Sequence, residues 1–565
     1  MVGTDDLELA RRWTLVNAQR HDGKANLQAV IGKLIAEKPE LKLEIEELMQ
    51  IVEELVGEIN RLSLEEQRSE LDRLGPPEKL KVEEERRLPE LPEVDKYPCI
   101  VTRFAPNPNG PLHLGHVRTA LLCYEYARKH AGRFILRFED TNPANARSEM
   151  YDLIREDLEW LGIGWDEEYM QSDRMEIYYE FAVKLLEAGD AYVCACDPAR
   201  FKELRDESEP CPCRELGPEE HLERWRGMIE GKFEEGEAAV RMRTNLELSN
   251  PALRDWPALR ISTSSHPQVG NRYRVWPLYN FSVSIDDHEM DITHVIRGKE
   301  HEVNELRQKQ LFDFLNWDYP TVLQHGRLSI PGTVLSKTKM MEGIEKGKFE
   351  GYDDVRLATI SALRRRGFAP ESLKEVILNV GMTKVDSTLS WDTLSTENRR
   401  IIDERANRYF FVPNPTELRI HDVPDLDETH LRLHPDHRER GDRTLPLAIE
   451  DGSLIVQITT DDFLKMEEGE TVRLKDLLNF DLVRREPPEG KFSGFELLLD
   501  VPKIQWVSSD PVEVWVLRPD GSRDFGFAEP AVRELSEGEV IQFERYGFVK
   551  VEETEPEIVV IFAHR

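Results

Sequence analysis

The 565-residue sequence predicts a multidomain chain in which an α/β unit on a parallel sheet stands between a helical N-terminal part and a strand-rich C-terminal part. Three observations carry this. Cys99-Ile-Val-Thr102, a loop rich in proline, glycine and asparagine, the helical run Val117–His130 and Phe134-Ile-Leu-Arg-Phe138 read as strand, loop, helix, strand, a βαβ unit. Well upstream, Leu41, Ile45, Leu48, Ile51, Val52, Leu55 and Ile59 recur at helical spacing. Beyond about 406, β-rich runs such as Ile504–Val507 and Val512–Leu517 meet turn signals such as Pro519-Asp-Gly521.

In chain order, residues 1–95 are helical and polar and break at Gly75-Pro-Pro77. The charged stretch Lys79–Arg87 and then Pro89, Pro92 and Pro98 read as a linker. The α/β unit starts at 96 and carries further helices over Ala144–Leu161 and Arg174–Ala188. Residues 193–275 are irregular and hold four of the six cysteines. Apolar segments return at Val275–Ile285 and Thr293–Ile296. Residues 341–405 read as helical and carry Arg364-Arg-Arg366, and 406–565 read as strands.

Composition excludes several classes. Lysine and arginine total 75 against 109 aspartates and glutamates, a net charge of −34, which argues against coating nucleic acid through overall charge. That sum does not describe a local surface. No run of ~18 apolar residues is present to span a bilayer, and Met1–Arg12 has no apolar signal-peptide core. Six cysteines in this length are not a disulfide scaffold. The expectation is a cytoplasmic protein with no membrane partner.

The strongest motif is Arg103-Phe-Ala-Pro-Asn-Pro-Asn-Gly-Pro-Leu-His-Leu-Gly-His116, placed after a strand and at a helix start. A helix N-terminus offers free N–H groups and a positive dipole end, which suits phosphate. Gly115 allows a ligand close to the backbone, and His113 and His116 can donate to a phosphate whose charge grows in a transition state. A zinc pair is the alternative, but no third ligand of matching spacing lies nearby. A second segment, Leu335-Ser-Lys-Thr-Lys339, follows Ile330-Pro-Gly332 on a loop from which a lysine can reach nucleotide phosphates. Cys194-Ala-Cys196 and Cys211-Pro-Cys213 bracket 14 residues and can complete a tetrahedral Cys₄ site; four local thiols are the competing reading. Cys99 and Cys123 read as core residues.

Together the two segments resemble the HIGH and KMSKS signatures of class I aminoacyl-tRNA synthetases, here His113-Leu-Gly-His116 and Val334-Leu-Ser-Lys-Thr338. The second departs from its pattern at its first and last positions, so Lys337 works alone or with Lys339. The resemblance narrows to the glutamyl/glutaminyl-tRNA synthetase family through Arg137-Phe-Glu-Asp-Thr-Asn142, Tyr279-Asn-Phe-Ser, Ile296-Arg-Gly-Lys-Glu300, Gly351-Tyr-Asp-Asp, Thr359–Phe368 and Val540–Phe548, in order over about 97–565. The N-terminal part resembles, more loosely, the extension of archaeal-type glutamyl members.

That resemblance implies a Rossmann-like class I catalytic domain over 96–192 and 276–340, with an acceptor-stem-binding domain inserted over 193–275. It also implies an N-terminal helical extension over 1–95, a helical connector over 341–405 and β-barrel anticodon-binding domains over 406–565. It assigns Pro106, Asn107, Gly110, His113, Gly115, His116, Ser336 and Lys337 to ATP, which arrives with Mg²⁺ held largely by its phosphates, with His113, His116 and Lys337 as catalytic groups. It assigns Arg103, Asn107, Glu139, Tyr279 and Arg297 to the amino acid. Glutaminyl members carry an uncharged residue where Arg297 stands, and a guanidinium binds a carboxylate with two parallel charge-assisted bonds. The implied substrates are therefore L-glutamate and tRNA(Glu), with tRNA(Gln) open as a second acceptor. An ion pair with a neighbour such as Glu300 is the alternative role for Arg297. Some members carry zinc in the inserted region, so structural Zn²⁺ on Cys194, Cys196, Cys211 and Cys213 is the metal expectation. From the residues alone, Arg432, His434, His437, Arg438, Arg440 and Arg443 read either as a patch that follows RNA phosphates or as a solvated loop interrupted by Asp436, Glu439 and Asp442, while the resemblance puts Arg364–Arg366 on a helix near the inside of the tRNA's L shape. The competing functions are glutamine attachment to tRNA, a nucleotidyltransferase with a similar His-x-Gly-His site, and a non-catalytic tRNA binder.

Overall fold

A computed structural model describes residues 4–20, 23–75, 77, 88–333 and 337–565. The chain divides into two compact units, Met1–Pro92 and Glu93–Arg565.

The first unit contains helices Thr4–Arg20, Leu27–Glu37, Ile45–Ile59 and Leu64–Leu74. Asn26 caps the second by accepting from the Ala29 N–H, and Ser63 and Glu66 form a reciprocal capping box on the fourth. The periodic run turns Leu48, Val52 and Ile59 inward, against Trp13, Val30 and Leu34 among others. Its first part is not α-helical: Pro39 opens a 3₁₀ segment, Pro39–Glu44, and Ile45 is exposed. The expected linker Lys79–Arg87 lies outside the described residues.

The second unit is organised by five parallel strands: β1 (Val101–Phe104), β2 (Arg133–Phe138), β3 (Glu167–Met170), β4 (His294–Gly298) and β5 (Thr321–His325). Their order is β3-β2-β1-β4-β5. Val101 pairs with Arg133 on one side of β1, and Thr102 with His294 on the other. Successive strands run outward from β1 to β3, then the chain returns to the other side of β1. That reversal opens a crevice at the carboxyl ends of β1 and β4, the place where open α/β sheets bind ligands. The crossover helix Leu114–Lys129 begins earlier than its apolar periodicity suggests, because His113 caps it. The next helix is Ser148–Trp160; the turn through Asn142–Arg147 takes the residues expected to start it.

Between β3 and β4 lies a four-stranded antiparallel sheet of Ala191–Cys194, Ala239–Met242, Pro257–Ile261 and Val275–Pro277, in chain order. Its strands are too short to show a period, which is why the sequence looks irregular there. The apolar segment Val275–Ile285 is a strand followed by helix Tyr279–Glu289. Cys99 is exposed rather than core, since it precedes β1, whereas Cys123 is buried.

After the parallel sheet come helices Ile360–Arg365, Pro370–Val380 and Trp391–Ile402. Arg364–Arg366 does not form one open basic face. Arg365 is paired with Glu552 at 2.8 Å and Arg366 is buried. Neighbours on a helix point about 100° apart, so three in a row cannot share a face.

The C-terminal strands form two nearly closed barrels. In one, residues 503–507 pair with both edges: Lys503–Ile504 lies beside Thr471–Leu474, and Trp506–Val507 beside Ser453–Thr459. In the other, Arg408–Tyr409 and Phe411–Pro413 are the two outer strands of a seven-stranded sheet, so one segment closes it. Phe410 and Val412 enter the core of the first barrel, and Tyr409 and Phe411 the core of the second. Strand alternation thus serves two cores at once. The expected basic cluster here is also divided. Arg443 is 4% exposed and pairs with Glu529 at 2.9 Å and Glu544 at 3.1 Å, and His434 is buried, while Arg432 and Arg438 stay exposed.

Candidate functional site

A cavity of about 610 Å³ fills the crevice at the carboxyl ends of β1 and β4. It gathers Arg103, Pro106, Asn107, His113, Gly115, His116, Glu139, Tyr279, Arg297 and Lys337 from six separate stretches of chain. Gly110 backs it: a Cβ there would lie 3.0 Å from Lys337 Cδ. Ser336 lies outside the described residues.

At one end are the two histidines. The His113 ring folds back so that its Nδ1 accepts from the Gly115 N–H at 3.1 Å, and His116 Nδ1 accepts from the His113 N–H at 3.4 Å. The rings stack 3.7 Å apart. With each Nδ1 used as an acceptor, the proton sits on Nε2 and each ring keeps one donor. Burial first, and then Lys337, pushes His113 down to about 4; His116 is likewise well below the usual imidazole range, through burial, His113 and Lys337. Both are neutral donors at pH 7. The space above Gly115 belongs to the His113 ring, which a Cβ would meet at 2.9 Å, so this glycine serves the histidine's turn rather than a ligand's approach. Lys337 Nζ donates to Asn109 Oδ1 at 2.7 Å and to the Asn107 carbonyl at 3.4 Å, and burial pushes it down to about 8. Asn107 Oδ1 is buried without a partner.

The other end is a chain of charges. Asp287 Oδ1 accepts from Arg103 Nε at 3.1 Å and from Arg137 Nη1 at 2.8 Å, and Arg137 Nη2 reaches Glu139 at 3.2 Å. The two guanidiniums hold the Asp287 carboxyl below its usual range against burial. Glu139 is pushed up to about 7, because burial outweighs Arg137 and Arg103. Tyr279 begins the helix that carries Asp287, and burial raises its phenol. Arg297, at the end of β4, donates from Nη1 to Gln308 Oε1 at 2.7 Å and from Nη2 to the Tyr319 hydroxyl at 3.3 Å. Its ion-pair neighbour is Glu305 at 3.6 Å, not Glu300, which stands 3.8 Å from Arg327. Its Nε is buried without a partner.

This arrangement presents a guanidinium for one carboxylate and a buried carboxylate for an ammonium. Beyond them stand neutral N–H donors and a lysine for phosphate. Asp287, Gln308, Tyr319, Glu305 and Asn109 complete it and escaped the sequence reading. The one signal available was the acidic pair Asp286-Asp287 directly after the buried apolar Phe281, Val283 and Ile285 of the same helix. Asp286 serves elsewhere, holding Tyr178, Gln171 and Arg174.

The four cysteines of the inserted sheet also come together. Cys194, Cys196 and Cys213 offer sulfurs all within 4.8 Å of one another, and Cys211 lies 3.9 Å from Cys194. Cys196 and Cys213 are 3.7 Å apart. A tetrahedral Zn–S site with ~2.3 Å bonds sets sulfurs about 3.8 Å apart. Cys213 Sγ also accepts from Arg224 Nη1 at 3.2 Å and the Ala195 N–H at 3.4 Å.

Comparison with known proteins points one way. The family described as tRNA synthetases class I (E and Q), catalytic domain, matches residues 99–404, and its anti-codon binding domains match 406–499 and 503–552. A glutamate–tRNA ligase of Pyrococcus furiosus is 47% identical over 99% of each chain. Those of Thermococcus kodakarensis and Methanopyrus kandleri are 46% and 44% identical, again over 99% of each chain.

Proposed function

The chain belongs to the class I tRNA synthetases for glutamate and glutamine, and from that premise we propose that it activates L-glutamate with ATP and transfers it to the 3′ end of tRNA(Glu). The observation that carries the choice of glutamate is Arg297, a guanidinium at the floor of the cavity with a buried, unsatisfied Nε. Glu305 approaches Arg297 only to 3.6 Å, and a γ-carboxylate adds charge-assisted bonds where a glutamine carboxamide would turn an N–H against the guanidinium.

In this reading Arg103, Asn107 and Tyr279 line the amino-acid pocket with Arg297, and Glu139 receives the substrate ammonium. The glutamate α-carboxylate attacks the α-phosphorus of ATP and pyrophosphate leaves. The 2′-hydroxyl of the terminal tRNA adenosine then attacks the mixed anhydride. No protein nucleophile is needed; positioning and charge stabilisation carry the catalysis. His113 and His116 donate to the oxygens on which charge develops. Lys337 moves from Asn109 to the phosphates, which arrive with Mg²⁺, while Pro106 and Gly110 shape the loop around them, Gly115 lets the His113 ring fold back, and Ser336 keeps its proposed assignment to ATP.

The parts divide the labour. The catalytic domain is 96–192 with 276–340, the insert 193–275 grips the acceptor stem, 341–405 connects, and 406–565 reads the anticodon. Cys194, Cys196, Cys211 and Cys213 fit structural zinc, which would pin the first strand of the insert to the loop after helix Pro198–Asp206. Protein purified without chelator is expected to hold about one zinc per chain; metal analysis near zero overturns it. The six free cysteines suit a reducing cytoplasm, and no helix among the described residues is long and apolar enough to cross a membrane.

Aminoacylation with glutamate and with glutamine, on tRNA(Glu) and tRNA(Gln) separately, tests the proposal. Glutamate on tRNA(Glu) is the expected product, glutamate on tRNA(Gln) would add the second acceptor, and charging with glutamine alone would overturn the reading.

A further inference from the structure

A second cavity, of about 340 Å³, shares no lining residue with the first. It lies between Gly332-Thr333, helix Trp391–Ile402 and the last strand, Ile558–His564. Among the described residues, no aspartate or glutamate lines it. Arg356, Arg366 and Arg565 do, with the hydroxyls of Thr333 and Ser395.

The arginines are not equivalent. Arg356 is already met by Asp354, whose Oδ1 accepts from its Nε at 2.8 Å. Arg366 is 5% exposed, its Nη2 donates to the Ala563 carbonyl at 3.0 Å, and its Nε is buried with no partner. Its guanidinium carbon lies 4.7 Å from the Trp391 ring centroid and 5.3 Å from that of Phe368, so two rings fix its place. Burial alone pushes it down, to about 10; no carboxylate acts on it. The one other titratable side chain lining the cavity, His564, is pushed down to about 4 by burial, with Arg399 and Arg366 adding to the effect, and supplies no charge either.

A guanidinium taken out of water without a counter-charge is unfavourable, and burying one is ordinarily accompanied by an acid. Here a roomy, basic, hydroxyl-lined cavity stands in the acid's place. We infer that this cavity binds a phosphate oxyanion, with Arg366 as its charged ligand and Ser395 as hydroxyl donor, the Thr333 hydroxyl being held by the Ile330 carbonyl at 2.8 Å. The fork of a guanidinium matches two phosphate oxygens, and the Ser395 hydroxyl can turn to the third. The phosphate comes from a tRNA backbone phosphodiester or from free inorganic phosphate. The site does not rest on the aminoacylation reading.

The test uses the full chain carrying Lys337→Ala, which removes phosphate binding at the first cavity. Equilibrium dialysis with labelled inorganic phosphate is expected to show one saturable site, weakened at least tenfold by adding Arg366→Met. Because Arg366→Met also disturbs packing, Ser395→Glu is the second variant. It supplies a carboxylate to Arg366, so it should raise Tm in phosphate-free buffer and abolish the further rise that phosphate gives the parent. In an otherwise unaltered chain, a tenfold higher KM for tRNA in Ser395→Glu, with a shallower salt dependence, assigns the site to the tRNA backbone. An unchanged KM with phosphate binding lost assigns it to the free anion. Absence of saturable binding in the parent, or undiminished phosphate binding in Ser395→Glu, overturns the inference.

Discussion

The two ends of the main cavity are built on opposite electrostatic plans. At the amino-acid end, Arg103, Asp287, Arg137 and Glu139 form a continuous buried chain of opposite charges. At the nucleotide end, two imidazoles are held neutral and Lys337 rests on uncharged amide and carbonyl oxygens. A small zwitterion carries its full charge on arrival, so the groups that meet it can be charged and locked in advance. Phosphate charge shifts during reaction, so neutral donors that need no reorganisation and one movable cation suit it better. The first end therefore trades on geometry fixed by ion pairs, with Glu139 as its one group that titrates near neutrality, and the second on neutral donors and one movable cation.

The largest expected effect breaks the first end. Arg297→Cys removes the guanidinium and leaves the substrate γ-carboxylate facing Tyr319 and Gln308. Losing one member of a buried charge pair costs about 2–5 kcal/mol, so kcat/KM for glutamate should fall about 10²–10³-fold while the KM for ATP stays near its original value. Pyrophosphate exchange against glutamate concentration, with tRNA present, measures this; an unchanged Michaelis constant for glutamate removes Arg297 from the site.

A smaller effect is expected one step back. Asp287→Asn keeps the shape but drops the charge shared by Arg103 and Arg137. Exchanging charge-assisted bonds for neutral ones costs roughly 1–2 kcal/mol of stability and should raise the KM for glutamate about tenfold, again sparing ATP. Denaturant midpoints and exchange kinetics read both. Equal damage to glutamate and ATP would mean that the two ends are not separable.

This contrast was only half legible in the sequence. His113, His116 and Arg103 sit at fixed spacings on one loop and helix start, so local rules reach them. Arg297 takes its proposed role from the family frame, and its ion-pair partner is Glu305, on the following helix and five residues beyond the Glu300 of a local guess. Asp287, Gln308 and Tyr319 arrive through tertiary packing and carry no local pattern. The fold shows the same limit. The βαβ unit could be read from contiguous residues, but the closure of the second barrel by Arg408–Pro413 depends on pairings more than a hundred residues apart. Arg364–Arg366 looked like a basic patch in one dimension, and helical geometry turned its last member inward.

The smallest expected effect is a pH dependence that separates the two ends, and its sign follows from the burial of four groups, Lys337, Glu139, His113 and His116. Lys337, pushed down to about 8, is the charged form below that value and loses its charge as pH rises through it. Its grip on phosphate should therefore weaken above pH 8, by about tenfold at pH 9. Glu139, pushed up to about 7, is neutral below that value and becomes the carboxylate we propose for the substrate ammonium as pH rises. His113, at about 4, and His116, well below its ordinary range, do not titrate between these limits. The pH profile of exchange should rise through about 7 in kcat/KM for glutamate and fall beyond about 8 in kcat/KM for ATP, with no imidazole limb between. Lys337→Arg should carry the alkaline fall out of range, because a guanidinium keeps its charge, and Glu139→Gln should erase the acid rise. An alkaline fall that survives Lys337→Arg would show that the nucleotide end draws its charge from a group other than Lys337.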